Sequence, residues 1–437
     1  MKIVALNGLL GYGYSKEALE IAFSEKVDYL CVDAGSTDPG PYYLGSGKSF
    51  TDRSAVKRDL SLALPKALEH KAPFIIGTAG GAGSEVHVMW LKEILLEVAK
   101  EQNLSFKLGT VLVDVDTQYV LSKLESGKLI DMSSEFMADK DLISQSTRIV
   151  SQVGIAPIIE LLERKADVII CGRACDTAIY AAPCIYEGYS HGLAFHMAKI
   201  MECGAMCSEP VAAADVMQGY IYDDCFELRP ANPIRRCTVD RVAAHTLYEQ
   251  SNPFLIYEPD GVCDLTNSVF TQVDDRTVRV SGSEFIEAKE KSLKLEGVRC
   301  AGYRTICPAT IYDPKTIENI GLITDTVTKF VAENTKDTLP EGSYKIFFKT
   351  SGGKESSMGV IMDVVGKTQE IADTVCALVR SRMLHCDYDG RKSTAGNLAF
   401  PFSPSDIHVG AVYEFSVFHL AKVDSLIETS KIKLEEV

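Results

Sequence analysis

The sequence predicts an α/β protein whose N-terminal part is a parallel, doubly wound, Rossmann-like sheet, followed by an α+β domain with mostly antiparallel strands. Two observations carry this. Over residues 1–215, short apolar runs alternate with helical stretches, as βαβ units with helices on both faces require. After about Val216 the strand-like segments crowd together, joined by turn-rich connections, and helices become fewer. The expected domains are therefore 1–215, with glycine-rich strand-to-helix turns, and 216–437.

The elements follow in order. Ile3–Leu6 suits a first core strand and reads better as that than as a signal peptide. Ser15 is placed to cap a helix through Ala18–Phe23 with its side-chain oxygen. Val27–Asp33 is a second strand, and Arg53–His70 has helical periodicity that Pro65 should kink or divide. Pro73–Thr78 is a strand that leads through a glycine-rich turn into a helix over Ser84–Lys100. Lys107–Val115 is another strand, with a helix near Gln118–Glu125. Ile149–Val153 and Asp167–Cys171 read as two more strands flanking the helix Pro157–Arg164. In the second half, strands are expected at Gly219–Glu227, Ser268–Gln272, Thr277–Ser281, Tyr303–Ile306 and Tyr344–Lys349. Helices are expected at Val239–Gln250, Pro314–Glu333 and Thr368–Met383.

Composition narrows the function. The 437 residues are 46% hydrophobic and 24% charged, the balance of a soluble protein. Lysine and arginine number 45 against 60 aspartates and glutamates, a net charge of −15. Such a field repels phosphate backbones and anionic lipid, so neither nucleic acid nor a membrane is an expected partner. No stretch reaches the ~18 unbroken apolar residues of a membrane span. An odd count of 13 cysteines in a chain that needs no covalent staples favours a reduced, cytoplasmic setting. The pairs Cys171/Cys175 and Cys203/Cys207 have a spacing zinc would tolerate, but both lie in segments that read as packed core. No metal and no organic cofactor is expected. Homo-oligomerisation is the base-rate expectation for such a chain.

The chemistry should gather at strand-to-helix turns, because ligands of open parallel sheets sit outside the carboxyl ends of the strands. After the second strand, the loop DAGSTDPGPYYLG offers Asp33, Ser36, Thr37 and Asp38. These either close local turns or do acid–base work and anchor a substrate. After the third strand, Gly80, Gly81, Gly83 and Ser84 form either a tight steric turn or a cradle for an anion at a helix N-terminus. After Asp167–Cys171 come Arg173, a fork-shaped donor for a carboxylate, and Asp176, which either caps a helix or acts as a base. An apolar helix then carries His191, His196, Lys199, Glu202 and Cys203, a further set of acid, base and nucleophile types. Near the C-terminus, Asn397, Ser403, Ser405 and Asp406 lie in a rigid proline-rich loop fit to close over a pocket or form an interface.

The segments 33–47, GTAGGAGS (77–84), GRACD (172–176), MECGA (201–205), GYR (302–304) and TAGNLAFPFSPSDI (394–407) together resemble the acyclic terpene utilisation (AtuA-like) family. Lys199 stands where that family is expected to have a histidine. The resemblance implies a role in the breakdown of acyclic isoprenoids, which passes through branched acyl-CoA thioesters. It also implies a small companion domain, here expected as a separate partner chain.

The combined expectation is a catabolic enzyme acting on a small branched carboxylate or its acyl-CoA thioester, as a hydratase or dehydratase. Asp33, Asp38, Asp176, Glu202 and Cys203 are the catalytic candidates. Ser36, Thr37, Gly80, Gly81, Gly83, Ser84, Arg173, Asn397, Ser403 and Ser405 are the substrate-binding candidates. On this reading Arg173→Ala abolishes activity and leaves the fold intact. The alternative is a non-catalytic metabolite-binding subunit working with the companion chain.

Overall fold

The structure is a computed structural model that describes every residue of the chain except 37, 38, 135, 249–251, 354, 355 and 393. It divides into two compact units, Met1–Arg299 with Phe415–Val437, and Cys300–Glu414. The boundaries fall within two long strands, Ser292–Ile311 and Ile407–Lys422.

The larger unit is built on a ten-stranded sheet. Its centre is parallel: β1 (Lys2–Asn7), β2 (Tyr29–Gly35), β3 (Phe74–Gly81), β4 (Lys107–Leu112) and β5 (Val168–Cys171) stand in the order β1-β2-β3-β5-β4. These strands are almost wholly buried, which is why they read as continuous apolar runs without alternation. Antiparallel strands extend both edges. β6 (Asp215–Ile221) lies beside β1, and β7 (Cys225–Pro230), β8 (Val269–Gln272) and β9 (Val278–Ser281) continue outward in the order β6-β7-β9-β8. β10 (Lys431–Glu436) closes the other edge against β4.

Helices cover both faces. One core gathers Leu19, Leu60, Leu64, Leu91 and Leu95 from the helices Lys16–Ala22, Arg53–His70 and Glu85–Gln102. The other gathers Ile158, Leu161, Ile179, Phe195 and Met197 from the helices Ala156–Glu163, Ala178–Tyr186 and His191–Met201. The expected fold class is what the chain adopts. No helix among the described residues is long and apolar enough to cross a membrane.

Four local expectations need correction. Pro65 does not divide its helix, which runs unbroken over Arg53–His70. The proline leaves the carbonyl four residues earlier without a donor, and the Gln102 side-chain amide supplies it, Nε2 to Ser61 O at 3.0 Å. The segment near Ile149–Val153 is not in the parallel sheet; Arg148–Gln152 pairs antiparallel with Lys294–Val298. Gly219–Glu227 is not one strand but spans the turn between β6 and β7. Pro314–Glu333 is two helices, Pro314–Glu318 and Ile320–Thr335.

In the smaller unit, Tyr344–Gly352, Met358–Gly366 and residues 303–311 form antiparallel strands. Helices Ile320–Thr335 and Gln369–His385 pack on one face through Val327, Val331, Val375 and Val379.

Candidate functional site

The carboxyl ends of β1 and β2 and the turns beyond β5 converge on one cavity of about 340 Å³ in the larger unit. Its wall includes Tyr12, Asp33, Ser36, Asp176, Glu202 and Cys203, with Phe50 and Tyr248 as aromatic sides. Four of the five catalytic candidates therefore meet. Asp38 and Thr37 lie outside the described residues.

Each side chain is held by the backbone beneath it. Asp33 lies two residues before the end of β2, opposite Gly77, its carbonyl accepts from Leu10 N at 2.9 Å, and its Oδ1 accepts from Ala34 N and Gly35 N at 2.8 and 3.2 Å. The segment 172–175 is clamped on three sides: Gly172 N donates to Val111 O, Arg173 N to Gly83 O, and Cys175 N to Val153 O, at 2.8, 3.0 and 2.8 Å. Glu202 follows the helix His191–Met201, and Asn7, the last residue of β1, fixes that helix end with Nδ2 donating to Met201 O at 2.5 Å. Thr78 holds a left-handed backbone, φ 41°, uncommon for a β-branched residue. Its hydroxyl donates to Ala174 O and accepts from Ala174 N, both at 3.2 Å, so the strain is locked at the edge of the site.

The electrostatics separate the carboxylates. Burial pushes the Asp33 carboxyl well above the usual range, and the negative charge of Asp176 pushes it further. Asp176 faces the Arg173 guanidinium at 3.9 Å. Arg173 is buried and donates through Nε to Glu296 at 3.0 Å. Against burial, Arg173 and Lys294 pull the Glu296 carboxyl down to about 2. Lys199 Nζ donates to Glu202 in a short ion pair, with both side chains buried. Behind the wall, Thr177 Oγ1 donates to Glu258 at 2.9 Å. Burial, then the neighbouring charges of Glu202 and Asp260, raise Glu258 to about 8. Among the described lining residues there are three carboxylates and no lysine, arginine or histidine.

The other candidates fall elsewhere. Gly80, Gly81 and Gly83 support the wall with their carbonyls, which accept from Phe50 N, Ser36 N and Arg173 N. A Cβ on Gly83 would meet Arg173 N at 2.2 Å, with φ already +70°. Gly83→Ala should accordingly destabilise the protein by more than the ~1–2 kcal/mol of the left-handed backbone alone, read as a lowered denaturation midpoint. Ser84 is buried. Because Lys48 O can only accept, His87 Nε2 is the donor at 3.1 Å, and Nδ1 accepts from the Ser84 hydroxyl at 2.6 Å. His196 is a core histidine between Ser283 and Thr246, and burial lowers it to about 3. Asn397, Ser403 and Ser405 belong to the smaller unit. There Asn397 Nδ2 donates to Met383 O and Cys386 O at 3.0 and 2.9 Å, and Ser405 Oγ donates to Asp406 at 3.2 Å.

Sequence reasoning passed over Asn7, Tyr180, Glu258 and Glu296. Tyr180 carried no signal, since it lies in an apolar helix, Ala178–Tyr186, where an aromatic reads as core. Glu296 carried none. Among the described residues, no group of three or more His, Cys, Asp or Glu side chains could hold a metal ion. The thirteen cysteines are free thiols, most of them buried.

The family model described as "Acyclic terpene utilisation family protein AtuA" matches residues 2–219 and 229–386. That span holds every segment noted above except 394–407, which lies beyond its end. Searches of curated proteins and of solved structures give no match. With the match extending over nearly the whole chain, this protein belongs to the acyclic terpene utilisation family of AtuA proteins.

Proposed function

We propose that the cavity is a proton-transfer site for adding or removing water at a branched unsaturated acid or its acyl thioester. The observation that supports this is the meeting of Asp33 and Asp176 on one cavity wall, the first a buried carboxyl and the second facing a guanidinium. Burial and the neighbouring charge of Asp176 push the Asp33 carboxyl well above its ordinary range, which favours the protonated acid, while Asp176 lies beside the Arg173 guanidinium. A carboxyl pushed upward beside a second one that faces a guanidinium can divide the roles of acid and base.

In the elimination direction, Asp176 takes the proton from the carbon next to the carbonyl. The electron pair forms the new carbon–carbon double bond, and the hydroxyl on the next carbon leaves with the proton of Asp33 as water. Addition reverses each step. Arg173 is a positioning residue for Asp176, and Lys199 holds Glu202 on the wall. A volume of about 340 Å³ lies within the ~300–1,000 Å³ of small-molecule pockets and would take a branched acyl chain.

The test is proton NMR in D₂O on branched 3-hydroxy and unsaturated acids, free and as CoA thioesters, with the protein added. Interconversion or deuterium uptake beside the carbonyl is expected. Tight binding of these compounds without either change would contradict the proposal and favour a binding subunit.

A further inference from the structure

Cys207 and Cys237 are fully buried free thiols, and their Sγ atoms lie in contact at 4.0 Å. They stand 30 positions apart in the chain, and a short ribbon brings them together. Ser208–Glu209 pairs antiparallel with Arg236–Cys237, Arg236 opposite Glu209 and Cys237 opposite Ser208. The two sulfurs are held differently. Cys237 is fixed through both backbone groups: its N–H donates to Arg276 O at 3.1 Å, and its carbonyl accepts from Gln272 Nε2 at 3.0 Å. Cys207 instead ends the 3₁₀ turn Gly204–Cys207, which follows directly on Glu202 and Cys203. Glu202, Cys203 and Met206 all stand on the cavity wall. The outer end of the ribbon is exposed at Pro210 and Arg236. So short a ribbon has little to resist local opening, and an opened ribbon admits a small oxidant to both thiols.

We infer that Cys207 and Cys237 are a redox pair that hydrogen peroxide closes into a disulfide, latching the cavity wall to the strand Arg236–Cys237. One thiol, as its thiolate, attacks the O–O bond and becomes a sulfenic acid; the departing hydroxide takes up the thiol proton as water. The second thiol attacks the sulfenic sulfur. The S–S bond forms, and the oxygen leaves as water with that thiol's proton. Two thiols and one peroxide give one disulfide and two waters, and a reducing thiol restores the pair by exchange. Closure brings the sulfurs about 2 Å nearer than their 4.0 Å contact. Because Cys237 is anchored through both backbone groups, the approach falls on Cys207 and carries Met206 and Cys203 with it. The latch belongs to the wall and does not depend on which reaction the cavity serves.

The experiment treats the reduced full-length protein with hydrogen peroxide, blocks the remaining thiols and maps the peptides without reduction. Exposed Cys300 reports that the oxidant has acted. A linked Cys207–Cys237 peptide is expected, two hydrogens lighter than its separate parts and absent after dithiothreitol. Amide hydrogen exchange over residues 203–209 should slow ~10-fold on oxidation, because the cross-link suppresses local opening, and recover on reduction. Cys237→Ala should abolish both the link and the slowing, whereas Cys203→Ser should keep both. An oxidised Cys300 with Cys207 and Cys237 still free would overturn the pairing, as would Cys207 linked to Cys203. A linked peptide with unchanged exchange over 203–209 would overturn the latch. If Cys237→Ala does not fold, the wild-type map still decides the pairing, since it reads the bond directly.

Discussion

Arg173→Ala is expected to lower the free energy of unfolding by about 3–5 kcal/mol and to remove turnover with it. The guanidinium is buried against Glu296, itself buried, at 3.0 Å, and also faces Asp176. Truncating it leaves the Glu296 carboxylate with Lys294 as its remaining ion-pair partner, at 2.7 Å. The expectation drawn from sequence, that the fold would survive this change untouched, misses the partner because 123 residues separate the two. Denaturant titration distinguishes the causes. Arg173→Met combined with Glu296→Leu should recover most of the stability, since a buried pair replaced by apolar side chains is often neutral, and should remain inactive. The pair also gives an acid limit. With Glu296 held at about 2 against an ordinary 4.5, its contribution of about 3 kcal/mol is complete above pH ~4.5 and is lost as pH falls towards 2. Unchanged stability of Arg173→Ala at pH 7 would remove this account of the pair.

Asp33→Asn is expected to lose ~10²–10⁴-fold in turnover, the range for a missing general acid, while gaining stability relative to wild type as pH rises above the ordinary carboxylate range. The sign follows from the linkage. A carboxyl whose folded pKa lies above its unfolded value favours folding fully below the unfolded value, and that advantage is lost as pH rises through the folded value. The cost therefore begins as pH rises past the unfolded carboxylate value and grows towards the folded one, and asparagine does not carry it. The amide oxygen can still accept from Ala34 N and Gly35 N, so the turn should persist. Melting curves from pH 4 to pH 9 read the effect: the stability of the variant relative to wild type should rise with pH from about 4 upward. A variant less stable across that whole range would mean that Asp33 is a structural carboxylate.

Much of this site was legible in the chain. β2 and β5 are apolar runs that stop at polar, glycine-bearing turns, and ligand groups belong at the carboxyl ends of parallel strands. That reasoning found Asp33, Ser36 and Asp176, and the polar end of an apolar helix found Glu202 and Cys203. The glycine turn was read for its N–H groups, whereas its carbonyls brace Phe50, Ser36 and Arg173, a distinction that only long-range pairing decides. Glu258 and Glu296 sit in strands far from the turns they support, and no local pattern joins them to Thr177 or Arg173. The edge strands β6 to β10 were harder to place for the same reason. They add to the parallel sheet from the second half of the chain, and strand order is a property of contacts, not of periodicity.

The claim on which the account turns is that Asp33 keeps a proton at neutral pH beside a charged Asp176. Infrared difference spectroscopy of wild type against Asp33→Asn, with Asp176→Asn alongside, tests it without any substrate. Beside the band of Glu258, raised to about 8, the account predicts a second protonated-carboxyl band at pH 7 in the wild-type minus Asp33→Asn difference, titrating at lower pH in Asp176→Asn, where the repelling charge is gone. A difference spectrum with no protonated-carboxyl band at pH 7, Asp33 having ionised in the ordinary carboxylate range, would contradict it.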